Sequence, residues 1–305
     1  KIKYVDLVDK NLFNKLQEEY LELVEECEEI KSMTFSVNLS AETLMIFEKS
    51  NKKFDIFVKD RVIPIDKSIA ASGLMHEGIV STQMGLPGLP AVAEELMVKR
   101  DIDLLRYTGS KLHITGVSSA TTIELIRAAK KEGLAISCSV TPTHLFYCDE
   151  DMTTYNTNLK VIPPVRTKTD RDALIAGVVD GTIDCIASHH APQDWDHKVC
   201  EFEYAEFGNI GLQTTYATLE QTVPNLNPEQ ISNLLSGNAR KIFALPTILI
   251  EEGQAAELTI FNRKGTTLLN SKNNKSHTPR ISSTQTNSLQ IFRNIFARIT
   301  TIFSH

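Results

Sequence analysis

Lys111–Val140 reads KLHITGVSSATTIELIRAAKKEGLAISCSV, and the architecture follows from it. The apolar, β-branched run Lys111–Val117 predicts a buried strand. Thr121–Lys131 carries apolar residues at helical spacing, and Gly133 ends that helix. Leu134–Val140 then predicts a second strand. A strand, a helix and a strand joined by short turns form a right-handed crossover, the unit of a parallel sheet.

The same alternation runs outward in both directions. Before it, Lys3–Val8 and Ser32–Val37 predict strands, and Leu12–Glu29 predicts a helix. Ser40 caps a helix through Lys49, Phe54–Ile65 holds a strand, and Pro87 opens a helix over Ala91–Tyr107. After it, Leu159–Ile162 predicts a strand stopped by Pro163 and Pro164, and Asp170–Val179 a helix. Ile183–Ala187 predicts a buried strand, and Thr214–Gln221 and Pro228–Leu245 predict helices. Ala256–Phe261 predicts a strand of a second, smaller sheet. This many units favour an α/β fold of the closed (β/α)8 TIM-type barrel over an open doubly wound sheet. About six units are counted where the barrel needs eight, so the barrel is incomplete here or its first strands precede Lys1. No glycine-rich phosphate loop follows any strand, which weakens a nucleotide-binding alternative.

The 305 residues are 42% hydrophobic and 23% charged, enough for a sizeable core. No apolar run is long enough for a membrane span. The net charge of −6 argues against nucleic acid as a partner. Arg263–His305 holds seven Lys or Arg and no Asp or Glu, which leaves −13 on the remainder. Five scattered cysteines with no C-x-x-C pair fit buried thiols in a reduced, cytoplasmic protein. Three regions are delimited: a barrel over 1–245, a remnant of a small β domain over 246–264, and a low-complexity linker with a basic amphipathic tail over 265–305. Ile291, Phe292, Ile295, Phe296, Ile299, Ile302 and Phe303 recur at helical spacing. The expectation is a helix packed on its own domain, with a membrane surface or an acidic partner as the alternative.

In a barrel, chemistry sits at the carboxyl ends of the strands. Only Asp184–Gln193, DCIASHHAPQ, is dense in potential ligands. Adjacent His189 and His190 point to opposite sides of an extended segment, and one imidazole does not hold a zinc. His113 contributes only if it faces inward, and otherwise reads as a partly buried strand histidine. His144 reads as a loop residue, and Asp184 as a capping or pairing group.

Several blocks then resemble the dihydroorotases of the cyclic amidohydrolase family. They are Met75–Gly78 (MHEG), Gly85–Leu96 (GLPGLPAVAEEL), Val140–Leu145 (VTPTHL), Pro163–Arg171 (PPVRTKTDR), Asp180–Asp184 (DGTID), Phe207–Leu212 (FGNIGL) and Ile250–Leu258 (IEEGQAAEL), in register over about Phe54–Asn262. The resemblance implies a zinc-dependent barrel enzyme of de novo pyrimidine biosynthesis, interconverting N-carbamoyl-aspartate and dihydroorotate.

The same resemblance implies a damaged site. The first-strand His-x-His pair is absent from this sequence. The acidic ligand falls near Val37 or Asn38, and one histidine ligand falls near Ile63 or Pro64. A second histidine ligand falls on Gly116, with His113 at a neighbouring non-ligand position. The substrate-binding asparagine falls on Ile162. The catalytic aspartate falls on His189, and a substrate histidine on Gln193. His189 is therefore the candidate at the catalytic position. Ile162, His190, Gln193 and Gly208 are candidates for the substrate pocket. No metal ligand is assigned and no cofactor is expected, although the family carries zinc. The sequence resembles the family's metal-free, noncatalytic branch: a pseudoenzyme whose expected partner is aspartate transcarbamoylase or a second copy of itself. The alternatives are an active zinc-dependent cyclic amide hydrolase with a rearranged site, or a module that keeps the pocket to bind a small pyrimidine or carbamoyl ligand.

Overall fold

A computed structural model describes residues 64–246 except 67 and 70, together with the backbone of the strands at 34–40, 43–50, 53–58, 256–261, 267–268, 291–292 and 296–301. The expected strand Lys3–Val8, the helix Leu12–Glu29 and Cys27 lie outside the described residues.

Strands β1 (Thr34–Ser40), β2 (Thr43–Ser50) and β3 (Lys53–Val58) form an antiparallel sheet in chain order. The helix expected from Ser40 to Lys49 is therefore a strand. Phe35 pairs with Phe47 on one side, and Phe47 pairs with Ile56 on the other. Leu44–Phe47 is a continuous apolar run, which periodicity alone cannot assign, and pairing on both edges decides for strand.

Next come β4 (Met75–His76), helix α1 (Ile79–Met84) and β5 (Gly88–Leu89), with β4 and β5 parallel. Helix α2 (Val92–Thr108) leads to β6 (Leu112–Thr115), α3 (Ala120–Lys131) and β7 (Ile136–Val140). After β7 come α4 (Pro142–Phe146), α5 (Lys168–Val179) and β8 (Cys185–Ile186). Strands β6, β7 and β8 form one parallel sheet in chain order, as the alternation of strand and helix predicted. The fold is mixed α/β. The expected strand at Leu159–Ile162 is replaced by a 3-10 turn at Thr157–Leu159 followed by irregular chain. Pro163 and Pro164 lack the N–H groups a ladder needs.

Helices α6 (Thr215–Thr222), α7 (Pro228–Ser232) and α8 (Asn238–Ile242) follow, with a π-helical turn at Asn233–Gly237 joining the last two. Strand β9 (Ala256–Phe261) stands where the sequence placed it. It pairs antiparallel with β12 (Phe296–Thr301), and β10 (Thr267–Leu268) pairs with β11 (Ile291–Phe292). The expected amphipathic helix of the tail is thus strand instead. The β-branched run Ile299-Thr300-Thr301-Ile302 is stiff at χ1 and suits an extended chain. No helix among the described residues is long and apolar enough to cross a membrane.

The main core lies on the face of the sheet that carries Leu112 and Ile114 of β6 and Ile136, Cys138 and Val140 of β7. Val98, Ile102 and Leu105 of α2, Ile123 and Ile126 of α3, and Leu174 and Val178 of α5 pack with Ile114, Cys138, Val140 and Ile183. Ser119 caps α3 by accepting from the Thr122 N–H, and Thr167 and Asp170 form a reciprocal capping box on α5. Cys138, Cys148 and Cys185 are buried free thiols, and burial pushes Cys138 and Cys185 up to about 12, which makes them poor nucleophiles at neutral pH.

One charged group breaks the apolar face of α2. Glu94 is 0% exposed and accepts from the Ser118 N–H at 2.9 Å, the Ser119 N–H at 3.1 Å and the Ser118 hydroxyl. Arg166, 2% exposed, faces it with Nη2 3.6 Å from Oε2. Arg166 also donates to Ser118 Oγ at 3.0 Å, to the Leu89 carbonyl at 2.7 Å and to His76 Nδ1 at 3.2 Å. Removing one member of a buried pair leaves the other uncompensated. Arg166→Met alone is expected to lower unfolding stability by about 3–5 kcal/mol, and Glu94→Leu with Arg166→Met together by less than either single change. Urea unfolding of the three variants checks this, and equal or additive losses would contradict it.

Candidate functional site

The candidate site is the carboxyl end of β6, β7 and β8. The loop leaving β6 is fixed from two sides. Glu94 holds Ser118 and Ser119, and Asp170 accepts from the Ala120 N–H at 2.8 Å. Gly116 in this loop has φ +74°, the left-handed region that glycine enters at no steric cost.

His189 lies beyond the end of β8 with φ +41°, a conformation costing a non-glycine residue about 1–2 kcal/mol. Its Nε2 is 2.9 Å from Thr115 Oγ1, and Ser139 Oγ donates to the same Oγ1 at 2.9 Å. Since Thr115 accepts from Ser139, its own proton is available for His189 Nε2. The ring lies against Gly116: a Cβ at that position would stand 2.6 Å from His189 Cε1.

The other candidates fall around the loop after β8. His190 forms a parallel bridge with Asn209, and its Nδ1 accepts from the Gly211 N–H at 3.1 Å. Gln193 Nε2 donates to the Phe207 carbonyl at 2.8 Å. Gly208, at φ +131°, lies so close to Ala191 that a Cβ would meet its carbonyl oxygen at 2.5 Å. His190, Gln193 and Gly208 are thus brought into one loop. Ile162 makes an apolar contact instead, packing with Ile65, Leu89 and Ala93.

Both ring nitrogens of His144 are engaged: Nε2 lies 2.9 Å from the Pro163 carbonyl and Nδ1 2.6 Å from Thr141 Oγ1. The carbonyl can only accept, so Nε2 carries the proton and Nδ1 takes one from Thr141. His144 lies at 3% exposure inside α4, not in a loop. His113 is buried, with Nδ1 2.8 Å from Ser137 Oγ and its ring edge-on to Phe243. Asp184 pairs with Lys130 at 2.7 Å and accepts from the Cys138 N–H, a pairing role as expected.

Sequence reasoning missed two buried lysines that hold the loop. Lys160 Nζ donates to the Phe202 and Glu203 carbonyls at 2.8 and 3.1 Å, and its own carbonyl accepts from the Gly208 N–H. Lys198 Nζ donates to the Thr157 and Glu206 carbonyls at 2.9 and 2.7 Å. Burial lowers both, Lys198 to about 8. Lysine is so seldom buried that only long-range contacts reveal this role. Thr115 and Ser139 were also missed as partners of His189. The one signal for Thr115 was its place two residues after His113, on the same strand face.

A zinc site needs three or four converging donors. Among the described residues no three His, Cys, Asp or Glu side chains converge. His189 Nε2, both nitrogens of His144 and the Asp184 carboxylate are already engaged. The donor set described here does not fit zinc.

No family model matches the chain. The curated relatives it matches include a protein named dihydroorotase from Caldanaerobacter subterraneus subsp. tengcongensis, 42% identical over 200 residues, which are 65% of this chain and 46% of that protein. Another, from Fusobacterium nucleatum subsp. nucleatum, is 33% identical over 241 residues, 78% of this chain and 55% of that protein. Among solved structures, dihydropyrimidinase from Brevibacillus agri aligns with a TM-score of 0.61 at 16% identity, covering 75% of this chain and 50% of that one. L-hydantoinase from Arthrobacter aurescens aligns at 0.57 and 23% identity, covering 68% and 46%. The chain is a homologue of dihydroorotases and shares its fold with cyclic amidohydrolases. It spans about half the length of the curated relatives it matches.

His76, His113 and His144 are each lowered from 6.5 to about 4, in every case chiefly by burial. Between those values the unfolded chain binds more protons than the folded one. Stability therefore falls as pH drops below about 6.5, by up to about 3 kcal/mol per histidine once pH passes below 4. Urea midpoints measured from pH 7 to 4.5 are expected to decline, and His113→Phe to flatten the slope by about one proton. A slope unchanged by His113→Phe would contradict this.

Proposed function

We propose that this is a dihydroorotase-like protein of de novo pyrimidine biosynthesis whose hydrolytic site is impaired, a pseudoenzyme built on a (β/α)8 barrel. The observation that carries the reading is the pairing of Gly116 with His189. By resemblance these positions hold a histidine ligand and the catalytic aspartate. Here the first has no side chain, and the second is an imidazole hydrogen-bonded to Thr115. An aspartate takes up and releases a proton as a carboxylate, and an imidazole carries no such negative charge and here has its Nε2 bonded to Thr115. Ile162, at the position of the substrate-binding asparagine, offers an alkyl group where an amide is needed. Without metal, water keeps its bulk acidity and supplies no hydroxide at neutral pH.

In this reading residues 1–245 belong to the barrel. The remnant of the small β domain spans 246–264 and contains β9, and 265–305 is the low-complexity linker and basic tail, whose β12 pairs with β9. His190, Gln193 and Gly208 line the remnant of the substrate pocket, and His189 fills the catalytic position. The protein acts in the cytoplasm through association with aspartate transcarbamoylase or with itself.

Elemental analysis of the purified chain, combined with dihydroorotase assays in both directions, tests the proposal. The expected result is less than about a tenth of a zinc per chain and no turnover that a chelator abolishes. Stoichiometric zinc with chelator-sensitive turnover would overturn it and favour an active cyclic amide hydrolase.

A further inference from the structure

The space above Gly116 is filled by a residue 73 positions away in the chain. His189 reaches it from the end of β8, and a Cβ on residue 116 would meet three atoms of the ring: Cε1 at 2.6 Å, Nδ1 at 3.3 Å and Nε2 at 3.5 Å. The imidazole therefore occupies the volume that a side chain at 116 would need. Two features hold it there. Thr115 Oγ1 lies 2.9 Å from Nε2 and is itself fixed by Ser139. The His189 backbone is in the left-handed region, uncommon for a residue other than glycine. The Gly116 end of the slot is rigid, because Glu94 and Asp170 hold the residues that follow it.

We infer that His189 is an internal plug: its ring occupies a slot between the ends of β6 and β8, floored by Gly116 and walled by Thr115, that accepts a small planar nitrogen heterocycle when the side chain is removed or swings out. The slot takes a flat ring because its floor has no Cβ. It selects a ring nitrogen because the Thr115 hydroxyl, accepting from Ser139, offers its proton at the position of Nε2. Occupation by the protein's own side chain makes the site self-inhibited toward such ligands. The inference deepens the impaired-site reading by naming what closes the site, and it requires no turnover.

The test is chemical rescue with free imidazole, read by thermal unfolding. His189→Gly is expected to melt lower than wild type and to regain stability saturably with imidazole. The expected rise is about 3 °C at about ten times its Kd. Wild type is expected not to respond, and His189→Gly with Thr115→Val to lose most of the rescue. No saturable response in His189→Gly, or an equal response in wild type, would overturn the inference. A second measurement covers the case in which His189→Gly does not fold. Gly116→Ala is expected to lower Tm more in wild type than in a His189→Ala background, and equal losses would also overturn it. Because imidazole binding needs neither metal nor a cyclic amide, failure here is distinguishable from failure of the impaired-hydrolase reading.

Discussion

The arrangement depends on a carboxylate buried where α2 should be apolar. Glu94 holds two backbone N–H groups and a hydroxyl in the loop after β6, and Arg166 sits against it with contacts to Ser118, Leu89 and His76. Desolvating two charges is expensive, and their mutual approach at 3.6 Å together with the hydrogen bonds around them offsets that cost. The return is positional. A loop that would otherwise be free to adjust is pinned at the point where β6 presents Thr115 and Gly116.

That constraint links motif blocks far apart in sequence. His76 comes from the MHEG block, Glu94 from the GLPGLPAVAEEL block, and Arg166 from the PPVRT block. Their meeting in one network gives a physical reason for these blocks to persist together: each supplies a partner without which another would be buried and unpaired. The site beside this network follows different rules. Gly116, Ile162 and His189 touch it or lie near it without belonging to it. They can change chemically while the framework stays intact, provided the changes fit one another, as the missing Cβ of Gly116 fits the ring of His189.

The parallel sheet was legible because short β-branched strands alternate with helices, and Gly133 ends the helix between β6 and β7 as its position indicates. The caps that Ser119 and Thr167 supply come from the structure alone. Ser40–Lys49 and the tail around Phe296–Thr301 carry apolar residues that fit both periods over a short span, and strand pairing, with sequence neighbours for the first and with distant β9 for the second, settles such cases. At the site, the resemblance singles out His189, His190, Gln193 and Gly208, and the chain after β8 brings the last three together. The Thr115–His189, Lys160–Phe202 and Lys198–Thr157 bonds and the Glu94–Arg166 pair connect residues 41 to 74 positions apart, and no local pattern records such pairings. Ile162, where the resemblance implies an asparagine, packs with Ile65, Leu89 and Ala93.

The most direct test of the central claim, a rigid framework whose site is filled by its own histidine, is a crystal structure of the full chain grown with excess zinc and recorded at the zinc absorption edge. The account predicts the His189 ring over Gly116, bonded to Thr115, with no anomalous peak within bonding distance of His144, His189 or His190. A strong peak held by those histidines, with the His189 ring turned away from Gly116, would contradict it.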